Sequence, residues 1–152
     1  MSSSPSSTAS SLPSYRGLYG GLALVVAALS GGQLYADYED ENLSIDYPTL
    51  WEMLGSRYGA GLALASLTLI GVLVLLAAIA SVRPITPVGI PITIALIGIA
   101  GAVMLISRVG AGSRHVPELD TAGAMMLMTC WAAVALGVIH AIHLIVVRLS
   151  DR

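Results

Sequence analysis

The chain is predicted to be an all-α integral membrane protein, a four-transmembrane-helix bundle with a short interfacial helix in its first external loop. Three observations carry this expectation. Four apolar stretches, about residues 17–35, 58–82, 88–106 and 121–147, contain no Asp, Glu, Lys or Arg. Each is near or above the ~20 residues that cross a bilayer hydrocarbon core as helix. Of 152 residues 56% are hydrophobic and 11% charged, against about 25% charged in a soluble domain, and mean hydropathy is +0.84. The segments left between the stretches are too short to build a core of their own. The domain division is therefore a disordered cytoplasmic tail over 1–16 and one membrane domain over 17–152 that includes the 36–57 external loop.

The tail opens with a Ser/Pro/Thr-rich run, Met1–Ser14, which has no apolar periodicity and no core to join. Arg16 before the first apolar stretch resembles the start of a signal peptide. The stretch is long for one, however, and Leu34 would stand at the −3 position of the cleavage site, so the first span is kept in the mature protein.

The first loop gathers Asp37, Glu39, Asp40, Glu41, Asp46 and Glu52. Ile45 to Leu54 reads as a short helix with Pro48 near its first position and Leu50, Trp51 and Leu54 on one side. With Tyr35, Tyr38, Tyr47 and Tyr58, Trp51 fits an interfacial aromatic belt. The sharper reading makes Tyr47, Leu50, Trp51 and Leu54 contacts for an external partner.

Arg83-Pro84-Ile85-Thr86-Pro87 predicts a tight turn between spans two and three, because each proline lacks a donor and biases its predecessor away from helix. Those two helices are expected to be neighbours. Pro91 falls near the start of span three, where a missing N–H costs little.

With both termini cytoplasmic, Arg16, Arg83, Arg148 and Arg152 lie inside and Arg57, Arg108 and Arg114 outside, which satisfies the positive-inside rule by one arginine. The expected location is a bacterial plasma membrane, crossed several times. Formal net charge is −2, and no basic run points to nucleic acid.

Chemistry has few candidates. His140 and His143 stand on neighbouring positions of one helical face. Two ligands from one turn do not approach a haem from opposite sides, and His115 lies roughly 37 Å from His140 along a continuous helix. A metal would need a further ligand from another span, and their inner ends carry no Cys, His, Asp or Glu. No cofactor, metal or catalytic residue is assigned. His140, His143 and Arg148 are instead expected at headgroup depth, bonded to lipid phosphate, water or a partner backbone. Cys130 is read as a small packing residue. Span one carries no carboxylate, so the coupling residue of a small multidrug exporter is missing.

Small residues recur at helical spacing: Ala23, Ala27 and Gly31 in span one, Gly98 and Ala102 in span three, and Thr129, Ala133, Gly137 and Ala141 in span four. Such ridges let helix backbones approach closely, either within the bundle or against another protein.

The chain has no Lys and no Phe and only one Asn, Asn42, a depletion of AT-rich codons that looks like a high-GC actinobacterium. In size, span number and composition it resembles the small four-helix accessory membrane subunits of actinobacterial, in particular mycobacterial, complexes, such as those of Mce-type lipid importers or respiratory supercomplexes. The resemblance covers the overall plan and transfers no functional residue. It implies a non-catalytic accessory or assembly subunit, held among membrane lipids against permease or respiratory subunits. Spans one and four would then pack on the larger assembly and the acidic loop would touch its external part. The alternative is a self-associating transporter or channel. Its discriminator is a polar stripe, for which Ser66, Thr68, Thr93 and Thr129 are scattered.

Overall fold

The computed structural model describes residues 15–57, 59–107 and 117–150. The Ser/Pro/Thr-rich run, Tyr58, Arg108, Arg114, His115 and Arg152 lie outside the described residues. The order of elements is α1 (Arg16–Leu29), β1 (Tyr38–Asp40), β2 (Leu43–Ile45), α2 (Leu50–Leu54), α3 (Ala60–Val82), α4 (Gly89–Ser107) and α5 (Thr121–Ser150). Three of the helices, α3, α4 and α5, are long and apolar enough to cross a membrane.

These three follow the apolar stretches closely. The α3 helix ends where expected: Arg83 is extended (φ −119°, ψ 143°), the conformation that the ring of Pro84 imposes on its predecessor. Pro91 lies in the first turn of α4 and is buried. The Arg83–Pro87 turn joins α3 to α4, and the two helices touch. Their larger interfaces are elsewhere, α4 against α5 and α1 against α3.

The first stretch departs from the expectation. Its helix has 14 residues, about 21 Å, and stops at Ser30, whose N–H still reaches Val26 O at 3.1 Å. Gly31 and Gly32 follow, and glycine is poorly suited to continue a helix. From Leu34 the chain runs extended beside the segment that enters α5. Ala36 N–H donates to Glu118 O (2.9 Å) and Asp120 N–H to Leu34 O (3.1 Å). These bonds satisfy backbone groups that the lost helical turns leave open. A Cβ on Gly123 would run into the Leu34 carbonyl, so this approach requires glycine at the start of α5. At the other end the helix begins at Arg16, and Tyr15 packs on α5, so both residues belong to the ordered body rather than to a tail.

The first loop is also built differently. Tyr38–Asp40 pairs antiparallel with Leu43–Ile45 in a hairpin turning at Glu41 and Asn42, so Ile45 belongs to a strand. The helix is confined to Leu50–Leu54. Thr49 caps it: its side chain accepts from the Glu52 N–H, and the Glu52 side chain accepts from the Thr49 N–H, a reciprocal capping box. Asp37 ties the loop together by accepting from the Tyr47 N–H (2.7 Å) and the Gln33 amide.

The interior forms two clusters. One centres on Tyr19, Val26, Leu73, Ala77, Ile94 and Ala133, the other on Leu34, Leu50, Ala102, Leu105, Met126 and Cys130. Leu50 thus anchors the loop helix to the bundle.

Candidate functional site

The tyrosines at the start of α1 and the histidines of α5 converge at one place. In α1, Tyr19 belongs to the buried row Tyr19, Leu22, Ala23 and Val26, whose spacing defines one helical face. Across from it, α5 presents His140, also buried. Tyr19 Oη and His140 Nδ1 share a hydrogen bond of 2.9 Å. One turn away, Tyr15 Oη and His143 Nδ1 are 3.3 Å apart. The Tyr15 ring stacks on the His140 imidazole, centroids 4.2 Å apart and planes 16° from parallel, and meets His143 edge-on at 5.8 Å. Two phenols from α1 and two imidazoles from α5 form one interlocked cluster.

This arrangement changes the expectation for His140. Its ring is covered by Tyr15 and bonded to Tyr19, so it is turned into the protein rather than toward lipid phosphate. His143 is half-buried at the edge of the cluster. Arg148 is exposed, and its Nη2 donates to Thr86 O at 2.8 Å. Arg16 does the same on the α1 side, with Nη2 donating to Val82 O at 3.1 Å. Both guanidinium groups thereby clip helix ends to the α3–α4 connection, and both retain further donors.

Tyr15 and Tyr19 are the residues that sequence reasoning missed. Their spacing of four matches one helical turn and complements the spacing of three between the histidines, but only if α1 and α5 are known to be neighbours.

The small-residue ridges sort into two groups. Gly98, Ala102, Ala133, Gly137 and Ala141 are buried, while Thr129 is half-buried. A Cβ on Gly98 would stand 2.8 Å from Cys130 O, and one on Gly137 would stand 2.5 Å from Pro91 O and 3.0 Å from the Ala95 Cβ. Each of the two helices thus supplies a glycine against the other's backbone, and this ridge is spent inside the molecule. In α1, Ala23 is buried but Ala27 and Gly31 are exposed.

The intramembrane hydroxyls are also engaged locally. Thr68 donates to Leu64 O, Thr93 to Gly89 O and Thr129 to Met125 O, at 2.7, 2.9 and 2.7 Å, all back-bonds within their own helices. Ser66 lines an apolar cavity of about 60 Å³ together with Leu73, Ile97, Leu105 and Cys130, well below the ~300 Å³ at which small-molecule sites begin.

The chain matches no protein-family model, no curated protein and no solved structure. Leu50 is buried, whereas Trp51 is 57% and Leu54 37% exposed. Tyr47 lies beside Tyr35, ring centroids 6.1 Å apart. Of the four loop residues expected to make external contacts, one serves the core, Tyr47 is partly covered, and Trp51 and Leu54 are presented outward. Glu52 sits between them with its carboxyl held below the usual range by the hydrogen bonds from the Thr49 backbone and side chain. No group of three or more His, Cys, Asp or Glu is assembled as a metal site among the described residues.

Proposed function

We propose that this protein is a non-catalytic accessory or assembly subunit of a larger bacterial plasma-membrane complex. An Mce-type lipid importer is the first assembly to consider and a respiratory supercomplex the second. The observation that carries this reading is the loop: a hairpin and a capped helix, anchored through Leu50, hold Trp51 and Leu54 outward beside acidic side chains. An ordered apolar–acidic surface outside the spans is what a docking element needs, since aromatic anchors dominate interface energetics. Inside the spans, the tyrosines and histidines are consumed by one another and the threonines by their own helices.

The proposal includes a fourth crossing, made by α1 and the segment that follows it. The Tyr15–His143 and Leu34–Gly123 contacts mark two levels on α5 that are twenty residues apart, about 30 Å of helix and thus close to the hydrocarbon thickness. Helix α1 plus its extended continuation covers that distance. The proposal puts the acidic loop on the outer face with the α2 helix at the interface and both termini in the cytoplasm, the side that the arginine count favours.

The test is affinity purification of the chromosomally tagged protein in mild detergent, followed by a native gel and mass spectrometry. A stoichiometric larger assembly is the expected result and would name the pathway through its companions. Recovery of a homo-oligomer alone would overturn the proposal in favour of a transporter or channel.

A further inference from the structure

Three sulfur-bearing side chains line one cavity. The space of about 60 Å³ that takes its walls from α1, α3, α4 and α5 is bordered by Met104 of α4 and by Met126 and Cys130 of α5. Met126 and Cys130 stand four apart, hence on one face of α5, and both are buried. Helix α4 runs antiparallel across that face. A Cβ on its Gly98 would stand 2.8 Å from Cys130 O, and one on Gly101 would stand 3.0 Å from the thiol Sγ itself. Met104 follows Gly101 by three residues, on the same side of α4. Leu34, in the extended segment after α1, completes the wall, so the cavity lies toward the end of the bundle that carries the loop.

The Cys130 thiol has no other task. It is only 5% exposed, belongs to no disulfide, and makes no hydrogen bond among the described residues. The cavity beside it is too small for an organic ligand but admits a single ion. Water is poorly suited to it, since a buried water needs about two to four polar partners. The side chains of the wall offer one hydroxyl, that of Ser66, among hydrocarbon and sulfur.

We infer that this cavity is a Cu(I) site, with Cys130 as the thiolate ligand and Met104 and Met126 as thioether ligands. Thiolate and thioether sulfur are soft donors, the kind that selects Cu(I). Charge selects the same ion. One thiolate neutralises one monovalent cation, so the loaded site carries no net charge. Zn(II) would leave a positive charge in an apolar interior, and no carboxylate or further thiol lines the cavity to offset it. On loading, a Cu–S bond forms as the Cys130 S–H bond breaks, the proton passes to solvent, and copper keeps its oxidation state. Methionine adds donors without adding charge, which is how a site of this kind fits in spans that hold no carboxylate. This inference does not depend on the accessory role, which rests on the loop.

The test uses the full chain, purified in mild detergent, fully reduced and titrated under nitrogen with Cu(I) held by bicinchoninate, whose colour fades as the protein takes the ion. One Cu(I) per chain should be transferred, and X-ray absorption at the copper edge should show sulfur neighbours alone. Cys130→Ala should abolish the transfer. Met104→Leu and Met126→Leu, which nearly conserve volume, should each weaken it by about tenfold or more, a loss that even outer-shell changes can cause. Met128→Leu, at an exposed position, should leave it unchanged, and a melt of each variant confirms folding. Failure of the parent protein to take Cu(I) from bicinchoninate would overturn the proposal, as would transfer that survives Cys130→Ala or the double methionine variant. Nitrogen neighbours in the absorption spectrum would move the ion to His140 and His143 and overturn it as well.

Discussion

Among the described residues Tyr19 and His140 make the shortest side-chain contact between two helices, 2.9 Å, and both side chains are buried. Replacing Tyr19 with Phe keeps the ring but removes the oxygen, which leaves His140 Nδ1 without its partner in a site that water does not easily reach. The cost should be about 1 kcal/mol, between the ~0.6 kcal/mol average for interhelical hydrogen bonds in membranes and the larger penalty of an orphaned buried group. Tyr15→Phe should cost less, because the 3.3 Å contact is longer and the ring stack on His140 survives. Unfolding in detergent micelles checks the order, and a reversed order would show that Tyr15 rather than Tyr19 holds the cluster. The histidines were legible in the sequence as the only imidazoles within a span. Their partners were not, because four apolar stretches of similar composition do not reveal which pairs of helices touch.

Among the elements, α2 has the clearest local cause. Thr49 and Glu52 stand three apart with Leu50 and Trp51 between them, and their reciprocal bonds satisfy donors that a helix start leaves open. Thr49→Ala should loosen the helix by about 1 kcal/mol, the usual cost of a lost cap, seen as several-fold faster amide exchange at Glu52 and Met53, whose N–H groups donate to Thr49. Acid should act on the same contact. The Glu52 carboxyl in the folded loop titrates below its ordinary value of 4.5. Its contribution is therefore fully present above that value and is lost as pH falls through the lower folded one. Amide exchange corrected for intrinsic rates should show α2 weakening below about pH 4.5 in the parent, and a smaller acid effect that persists in Thr49→Ala, because the backbone N–H at position 49 still donates to the Glu52 carboxylate. Element boundaries were legible where one physical signal dominated. Hydropathy placed α3, α4 and α5, and Pro84 ended α3. The early stop of α1 was written in Ser30-Gly31-Gly32, but an apolar run hides it. The hairpin has strands of three residues, too short for alternation to register, and its acidic side chains lack the composition of a strand.

At the level of the whole molecule, the α4–α5 ridge and the loop between α1 and α3 make opposite demands on a substitution. Gly137 faces Pro91 O and Ala95, so Gly137→Leu has to push the two helices apart. Overpacking of this kind typically costs ~1–3 kcal/mol, and close backbone contact is the principal force between helices in lipid. That variant should lose folded yield with or without any companion protein, which makes it unsuitable as a probe of assembly. Trp51 is exposed on a helix whose anchor is Leu50, so Trp51→Ala should leave the detergent melt of the isolated chain unchanged. If the loop is the docking element, the same substitution should remove the larger assembly from the native gel, because truncating a central aromatic anchor commonly costs ~2 kcal/mol or more of binding. Intact assembly with Trp51→Ala would shift the docking surface away from the loop, most directly to the exposed Ala27–Gly31 side of α1. Loss of the isolated chain's melt would instead show that Trp51 supports the fold. The two variants, measured side by side, separate what this molecule spends on holding itself together from what it offers to another.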